Sequence, residues 1–290
     1  MRAWRPGLLV ASLVLIVAAC SDSAGPSSTS STVVTTTTIS PATTSTSPSS
    51  TTTSTVGSAT TTVGATTTTS DESLEGRTIV LDPGHNGMNW AHPDEIGRLV
   101  DIGTGTKACN TTGTATADGF PEARFNWEVA LAVRARLETL RAVVVLTRAD
   151  NDGWGPCITE RAAIGNEAAA DAVISIHADG GPDDGRGFHV IYPAAVAGLT
   201  DDIAGESYRL AQALHAAYQS TGMPIADYIA TDGFSERDDL GGLTLSDVPV
   251  VFLEAGNMRN DADAALLTDP EFHAAIAEAI ATALVEFLTG

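Results

Sequence analysis

Two hydrophobic rhythms alternate along residues 78–288. Short apolar runs bounded by Gly, Pro, Asp or Asn predict buried strands at TIVLD (78–82), AVVVLT (142–147), AVISIHA (172–178), GFHVIYP (187–193) and VPVVFLEAG (248–256). Between them, apolar residues recur at helical spacing. The strongest such segment is PEARFNWEVALAVRARLETLR (121–141), where Pro121 suits a first helical turn. Its apolar face is Phe125, Val129, Ala132, Val133 and Leu137. Further helices are predicted over 158–169, 206–221 and 270–288. A stretch of about 35 residues rich in Gly, Asp and Thr separates the first strand from the first helix. Loops of that length are uncommon and often functional. Strands that alternate with helices and are continuously apolar predict an α/β fold. The expected architecture is a single domain, with a mostly parallel, twisted central sheet covered by helices on both faces.

Composition sets the N-terminal part aside. MRAWRPG carries two arginines, and the apolar run LLVASLVLIVAA that follows has signal-peptide length. It ends in VAAC, which resembles the lipobox of bacterial lipoproteins. That resemblance implies cleavage before Cys20 and a lipid on its thiol; a plain secretory signal is the alternative. Residues 21–72 are almost entirely Ser, Thr, Ala, Val, Gly and Pro. Such a segment buries too little apolar surface to offset its conformational entropy. The expected organisation is therefore a signal peptide over 1–20, a disordered Ser/Thr-rich linker over 21–72 and a folded domain over 73–290. No segment after residue 20 is expected to span a membrane, so membrane contact would run through the lipid anchor only.

Charge narrows the partners. The chain has 36 acidic and 15 basic residues, and two of the basic ones, Arg2 and Arg5, belong to the signal segment. Nucleic acid is not an expected partner, because phosphate binding wants a basic surface. Two cysteines remain in the folded part, Cys109 and Cys157. An even pair in a secreted domain suggests a disulfide, with two unpaired thiols as the alternative.

Candidate chemistry lies at the ends of the three best buried strands. TIVLDPGH delivers His85, AVISIH delivers His177, and VPVVFLE delivers Glu254. In open α/β sheets, ligands bind beyond the carboxyl ends of the strands. If these strands are parallel, all three groups share one edge. A lone histidine after a strand is more often structural, and a lone glutamate could pair with an arginine. Three ionisable groups at one dry edge need partners, and a divalent metal would satisfy them together. Zinc suits a His, His, Glu set with an open position for water. Glu122, at the start of the long helix, and Glu254 both remain candidates for ligand and for base.

IVLDPGHNG, PEARFNWEVAL, LTRADND with ERAAIGNEAAADAVISIHAD, and VPVVFLEAGNMRN occur in an order that resembles the zinc-dependent N-acetylmuramoyl-L-alanine amidases of the Amidase_3 family. The resemblance covers nearly all of 78–288. It implies that 73–290 is a zinc amidase catalytic domain. His85, Glu122 and His177 would be the ligands of one Zn2+, and Glu254, within EAGNMRN, the catalytic glutamate. CNTTGT, GPC and SIHADGGPDDGRGFHV further resemble the secreted actinobacterial branch, in which the two cysteines are paired. Asp179 stands where asparagine is usual in other branches. The helical plug of some regulated members has no obvious counterpart, although the 86–120 loop could cover the site.

The implied activity is hydrolysis of the amide between N-acetylmuramic acid and L-alanine, in peptidoglycan or muropeptide fragments. It would act outside the cytoplasm, at the membrane facing the cell wall, with a monomer as the expected state. The alternatives are a zinc peptidase acting on the stem peptide and an inactive wall-binding or regulatory protein with this fold. Arg237, in a loop, GFSERDDLGGL, ahead of the last strand, is a candidate substrate contact. Arg148 and Arg161 are expected to pin strand and helix termini. His92, His189, His215 and His273 fall in no ligand spacing and are expected to be structural or exposed. Trp90 and Trp154 lie in loops, where tryptophan packs down more often than it stacks on sugar.

Overall fold

The computed structural model describes residues 73–290. The expected signal segment, the lipidation of Cys20 and the linker over 21–72 lie outside the described residues. In chain order the elements are β1 (Thr78–Pro83), a 3-10 turn (Asn89–Ala91), α1 (Pro93–Gly97), β2 (Leu99–Asp101), β3 (Thr106–Ala108), α2 (Glu122–Thr139) and β4 (Val143–Leu146). They continue with α3 (Ile158–Glu167), β5 (Ala172–Asp179), β6 (His189–Pro193), α4 (Ala204–Tyr218) and β7 (Phe234–Arg237). The chain closes with α5 (Gly241–Thr244), β8 (Val250–Asn257), α6 (Asp261–Leu267) and α7 (Pro270–Thr289).

Six strands form one sheet in the order β4-β1-β5-β8-β6-β7. The first four are mutually parallel, β6 pairs antiparallel with β8, and β7 runs parallel to β6. Alternate residues of β1, β5, β6 and β8 enter opposite cores, as the pleat requires, whereas β4, expected to be buried, lies at the sheet edge only partly buried, with Val143 exposed. Ile79, Leu81, Ile174, Ile176, Val251 and Leu253 pack under α2, α4 and α7. Val80, Val173, Val250 and Ile191 face the other way, towards α3 and α5. Full burial of each such side chain stabilises by about 1.5–3 kcal/mol, which is why the continuous apolar runs signal strands covered on both faces.

Three expectations change. The stretch between β1 and α2 is not structureless: it holds the 3-10 turn, α1 and the β2–β3 hairpin. These elements are three to five residues long, too short to show a period. Arg237 lies at the end of a strand, β7, and not in a loop. The closing helix α7 is long and apolar enough, by length and composition, to cross a membrane, which corrects the expectation that no segment beyond residue 20 could. Here that apolarity fills the core: Phe272, Ile276, Ile280 and Leu284 are buried, and the helix packs on α2 and α4.

Parallel pairing brings the carboxyl ends of β1, β5 and β8 to one edge. Asp82 lies opposite Ser175, and His177 lies opposite Glu254. The disulfide Cys109–Cys157 joins the segment after β3 to the start of α3. It fixes the hairpin beside that edge.

Candidate metal centre and cleft

His85 follows the Pro83-Gly84 turn with φ 58, a left-handed conformation that costs energy for a residue with a side chain. Two anchors hold it there. Arg161 Nη2 donates to the His85 carbonyl at 2.6 Å, and His85 Nδ1 lies 3.0 Å from the Thr111 carbonyl. A proton on Nδ1 satisfies that carbonyl and leaves the Nε2 lone pair free for a ligand. His85 Nε2 points at Glu122 Oε1, 3.1 Å away, and His177 Nδ1 lies 2.9 Å from the same oxygen. Glu122 Oε2 accepts from the Thr114 backbone N–H at 2.9 Å. Glu122 is also the first residue of α2, where the helix dipole favours negative charge. Two glycines make the approach possible. A Cβ on Gly84 would fall 2.1 Å from the His177 ring, and one on Gly113 would fall 2.6 Å from Glu122 Oε2.

The ligand atoms of His85, Glu122 and His177 lie within 4.8 Å of one another. Two imidazoles and one carboxylate, converging from a turn, a strand end and a helix start, form a donor set that fits Zn2+. Electrostatics agree with that fit. Burial pushes the Glu122 carboxyl up, but the neighbouring His85 and His177 outweigh it and hold it well below the usual carboxylate range. Burial pushes the His85 imidazole down, and Glu122 more than reverses this. The site thus favours a carboxylate beside positive charge.

Glu254 stands one strand away from His177 on the same sheet face. Burial pushes its carboxyl well above the ordinary range, the charges of Glu122 and Asp179 push it further, and Arg237 partly opposes them. On its other side Glu254 faces His189 of β6. His189 is buried, its Nδ1 has no hydrogen-bond partner among the described residues, and burial lowers its pKa to about 4. Asp179 Oδ2 accepts from the Tyr228 hydroxyl at 3.0 Å. The neighbourhood of His189 is set by antiparallel pairing, which the sequence does not carry.

With this geometry in view, comparison with known proteins decides the family. The family model described as N-acetylmuramoyl-L-alanine amidase, Amidase_3, matches residues 79–286. The chain belongs to that family. It is 42% identical over 217 residues to the N-acetylmuramoyl-L-alanine amidase Rv3717 of Mycobacterium tuberculosis, covering 74% of this chain and 88% of the relative. The crystal structure of the amidase Ami1 from Mycobacterium smegmatis aligns with TM-score 0.70 and 41% identity, over 74% of this chain and 98% of that one. The apo form of Ami1 from Mycobacterium abscessus aligns with TM-score 0.69 and 43% identity, over 74% and 100%.

Within this amidase fold, two arginines build the floor of the site. Arg161 Nη1 donates to Asp82 Oδ1 at 2.6 Å and to the Pro83 carbonyl at 2.8 Å; its other nitrogens reach the Gly155 and Pro156 carbonyls. Burial alone would raise the Asp82 carboxyl, but Arg161 and the hydroxyls of Thr147 and Ser175 bring it down to about 2. Arg148 donates to the carbonyls of Pro83 and Ala123, tying β1 to the start of α2. Both arginines therefore pin termini, as expected, and the termini they pin carry His85 and Glu122.

A cleft of about 500 Å3 runs from His85, Glu122 and His177 across the α5 side of the sheet. His85, Glu122, His177, Asp179, Glu254, Arg237 and the hairpin residue Lys107 all border it, so part of the 86–120 segment forms its wall. The expected site residues His85, Glu122, His177, Glu254 and Arg237 thus share one cavity. Lys107 and Asp239 were not singled out by the sequence, because both lie in short exposed segments without periodicity. His273 and His215 are structural: His273 Nε2 lies 2.7 Å from the Leu267 carbonyl, and His215 stacks on Phe234. Trp90 and Trp154 do not pack down as expected, being 68% and 44% exposed. Trp154 stacks on His92 instead.

Proposed function

We propose that this protein is a zinc-dependent N-acetylmuramoyl-L-alanine amidase that hydrolyses the amide between N-acetylmuramic acid and L-alanine in peptidoglycan or its fragments. Family membership and the relative at 42% identity support amidase activity. The convergence of His85, Glu122 and His177, with Glu254 one strand away in the same cleft, carries the finer reading. When bound by these three ligands, Zn2+ would supply a Lewis acid for the scissile carbonyl, an acidified water and positive charge opposing the upward push on Glu254. Glu254 takes a proton from the attacking water on its carboxylate and hands it to the leaving amine. Thr111 holds the His85 tautomer. The glycines at 84 and 113 let the ligands approach, and the low-dielectric strand edge strengthens every charge interaction. Arg237 contacts substrate from the far side of the cleft. The reading includes a monomer that works outside the cytoplasm, anchored through a lipid on Cys20, with 21–72 as its tether.

The test is mass spectrometry of purified protein incubated with a muramoyl-dipeptide, with and without a zinc chelator. Chelator-sensitive release of free N-acetylmuramic acid and the intact dipeptide is expected. Cleavage inside the dipeptide would make it a peptidase. No cleavage of this or larger wall fragments, with zinc bound, would refute catalysis.

A further inference from the structure

Three fixed cations border the cleft: Arg161, Lys107 and Arg237. Arg161 is buried and saturated by Asp82 and backbone carbonyls. The other two are half-exposed and share one partner. Arg237 donates through Nε and Nη2 to the two oxygens of Asp239, at 2.6 and 2.9 Å, and Lys107 Nζ donates to Asp239 Oδ2 at 3.0 Å. Both cations are thereby oriented without being used up. Arg237 Nη1 has no partner among the described residues, and Lys107 keeps two ammonium protons free. Lys107, Arg237 and Asp239 together carry one net positive charge, with Asp238 also beside Arg237, in a chain whose formal net charge is -21.

The positions are held from several sides. Lys107 projects from β3, whose end is clamped by the Cys109–Cys157 disulfide. Thr104 of the same hairpin donates to the Asp238 carbonyl at 2.6 Å, and Thr244 of α5 donates to the Ile102 carbonyl at 2.7 Å. Arg237 and Glu254 border the same cleft. The cleft is therefore polar in the electrical sense. Glu122, Asp179 and Glu254 lie at the metal end, and Lys107 and Arg237 lie at the β7 end.

We propose that Lys107 and Arg237, oriented by Asp239, form a subsite for a free carboxylate on the peptide leaving group, that of an acidic, γ-linked second residue. The inference rests on the amidase reading above. A substrate with its scissile amide at the metal centre carries its carboxylates on the peptide side, because the lactyl carboxyl is already consumed in the amide. A forked guanidinium and an ammonium on one wall suit a carboxylate acceptor, and charge-assisted hydrogen bonds are the strong ones. A carboxamide at the same place would lose the charge term and present its own donors to two donors.

The experiment compares two muramoyl-tripeptide amides, L-Ala-γ-D-isoGlu-L-Lys-NH2 and L-Ala-γ-D-isoGln-L-Lys-NH2, in which the γ-carboxyl is consumed in the next peptide bond, so that only the first carries a free carboxylate, the α-carboxylate of its second residue. Wild-type protein is expected to favour the acid at least tenfold in kcat/KM, chiefly through KM. R237M and K107M should each reduce that preference, and the double variant should abolish it, while R237K retains part. Calorimetric binding of the released peptides, L-Ala-γ-D-isoGlu-L-Lys-NH2 and L-Ala-γ-D-isoGln-L-Lys-NH2, reads the same subsite without turnover. A wild type that treats acid and amide alike in both assays, or a double variant that keeps the preference, overturns the proposal. An acid preference in binding without cleavage of either substrate would support the subsite and refute the amidase reading.

Discussion

Replacing Arg161 by methionine is expected to destabilise the domain by about 3–5 kcal/mol at pH 7, the range for removing one partner of a buried ion pair. Methionine keeps the length and apolar stem of the side chain but none of its donors. Asp82 would then lie buried without its ion pair, keeping the hydroxyls of Thr147 and Ser175 and the more distant charge of Arg148. In the intact protein its carboxyl titrates at about 2 against an ordinary 3.8. That gap is worth about 2 kcal/mol of stability, since one pKa unit corresponds to about 1.4 kcal/mol. The folded value lies below the unfolded one, so this stability is full above about pH 4 and is lost as the pH falls through about 2. Without Arg161 the sign reverses. Burial, no longer offset by the Arg161 ion pair, raises the carboxyl above its ordinary value, and the destabilisation should deepen from pH 4 to pH 7. The lost bonds to the His85, Gly155 and Pro156 carbonyls add to it. Thermal and urea unfolding at both pH values would measure the effect, with a fall in Tm of roughly 10 °C for a domain of this size. The double variant D82N/R161M should be more stable than R161M, because it removes the stranded charge. A loss below about 1 kcal/mol, or a double variant no more stable than the single one, would refute the argument.

Glu254→Gln should leave zinc stoichiometry unchanged, as measured by elemental analysis, while kcat falls by roughly a hundredfold or more, the contribution of a positioned acid–base group. His177→Ala should lose both metal and turnover, and retention of stoichiometric zinc would exclude it as a ligand. Gly113→Ala, at φ 78 and with its Cβ aimed at Glu122 and His85, should weaken zinc affinity by about 10–100-fold in a chelator competition; unchanged affinity would show that the glycine is not needed for ligand approach. Removing the disulfide as C109S/C157S opens a loop of 48 residues. It should cost up to about 4 kcal/mol in urea unfolding by the chain-entropy relation, and no measurable loss would indicate that native hydrogen bonds alone hold the hairpin.

The sequence by itself determined five of the eight strands, β1, β4, β5, β6 and β8, the main helices and the residues at their ends. Continuous apolar runs such as IVL and VISI can be satisfied only by burial on both faces, and that forces a covered, mostly parallel sheet. Placing His85, His177 and Glu254 after such runs follows from chain order alone, and the ordered motifs carried Glu122 with them. The helix face of Phe125, Val129, Val133 and Leu137 was equally legible, because a period of 3.6 residues survives in the sequence. The β2–β3 hairpin, β7, α5 and α6 were not legible, because elements of three to seven residues hold too few positions for a period. Nor could sequence show that β6 turns antiparallel to β8 and sets His189 opposite Glu254. Only the tertiary structure decided that Arg161 reaches from α3 to hold both Asp82 and the strained His85, and that Lys107 and Arg237, 130 positions apart, meet on Asp239. Local pattern records what each segment must bury; which charges then meet depends on the packing of distant segments, and no local pattern contains it.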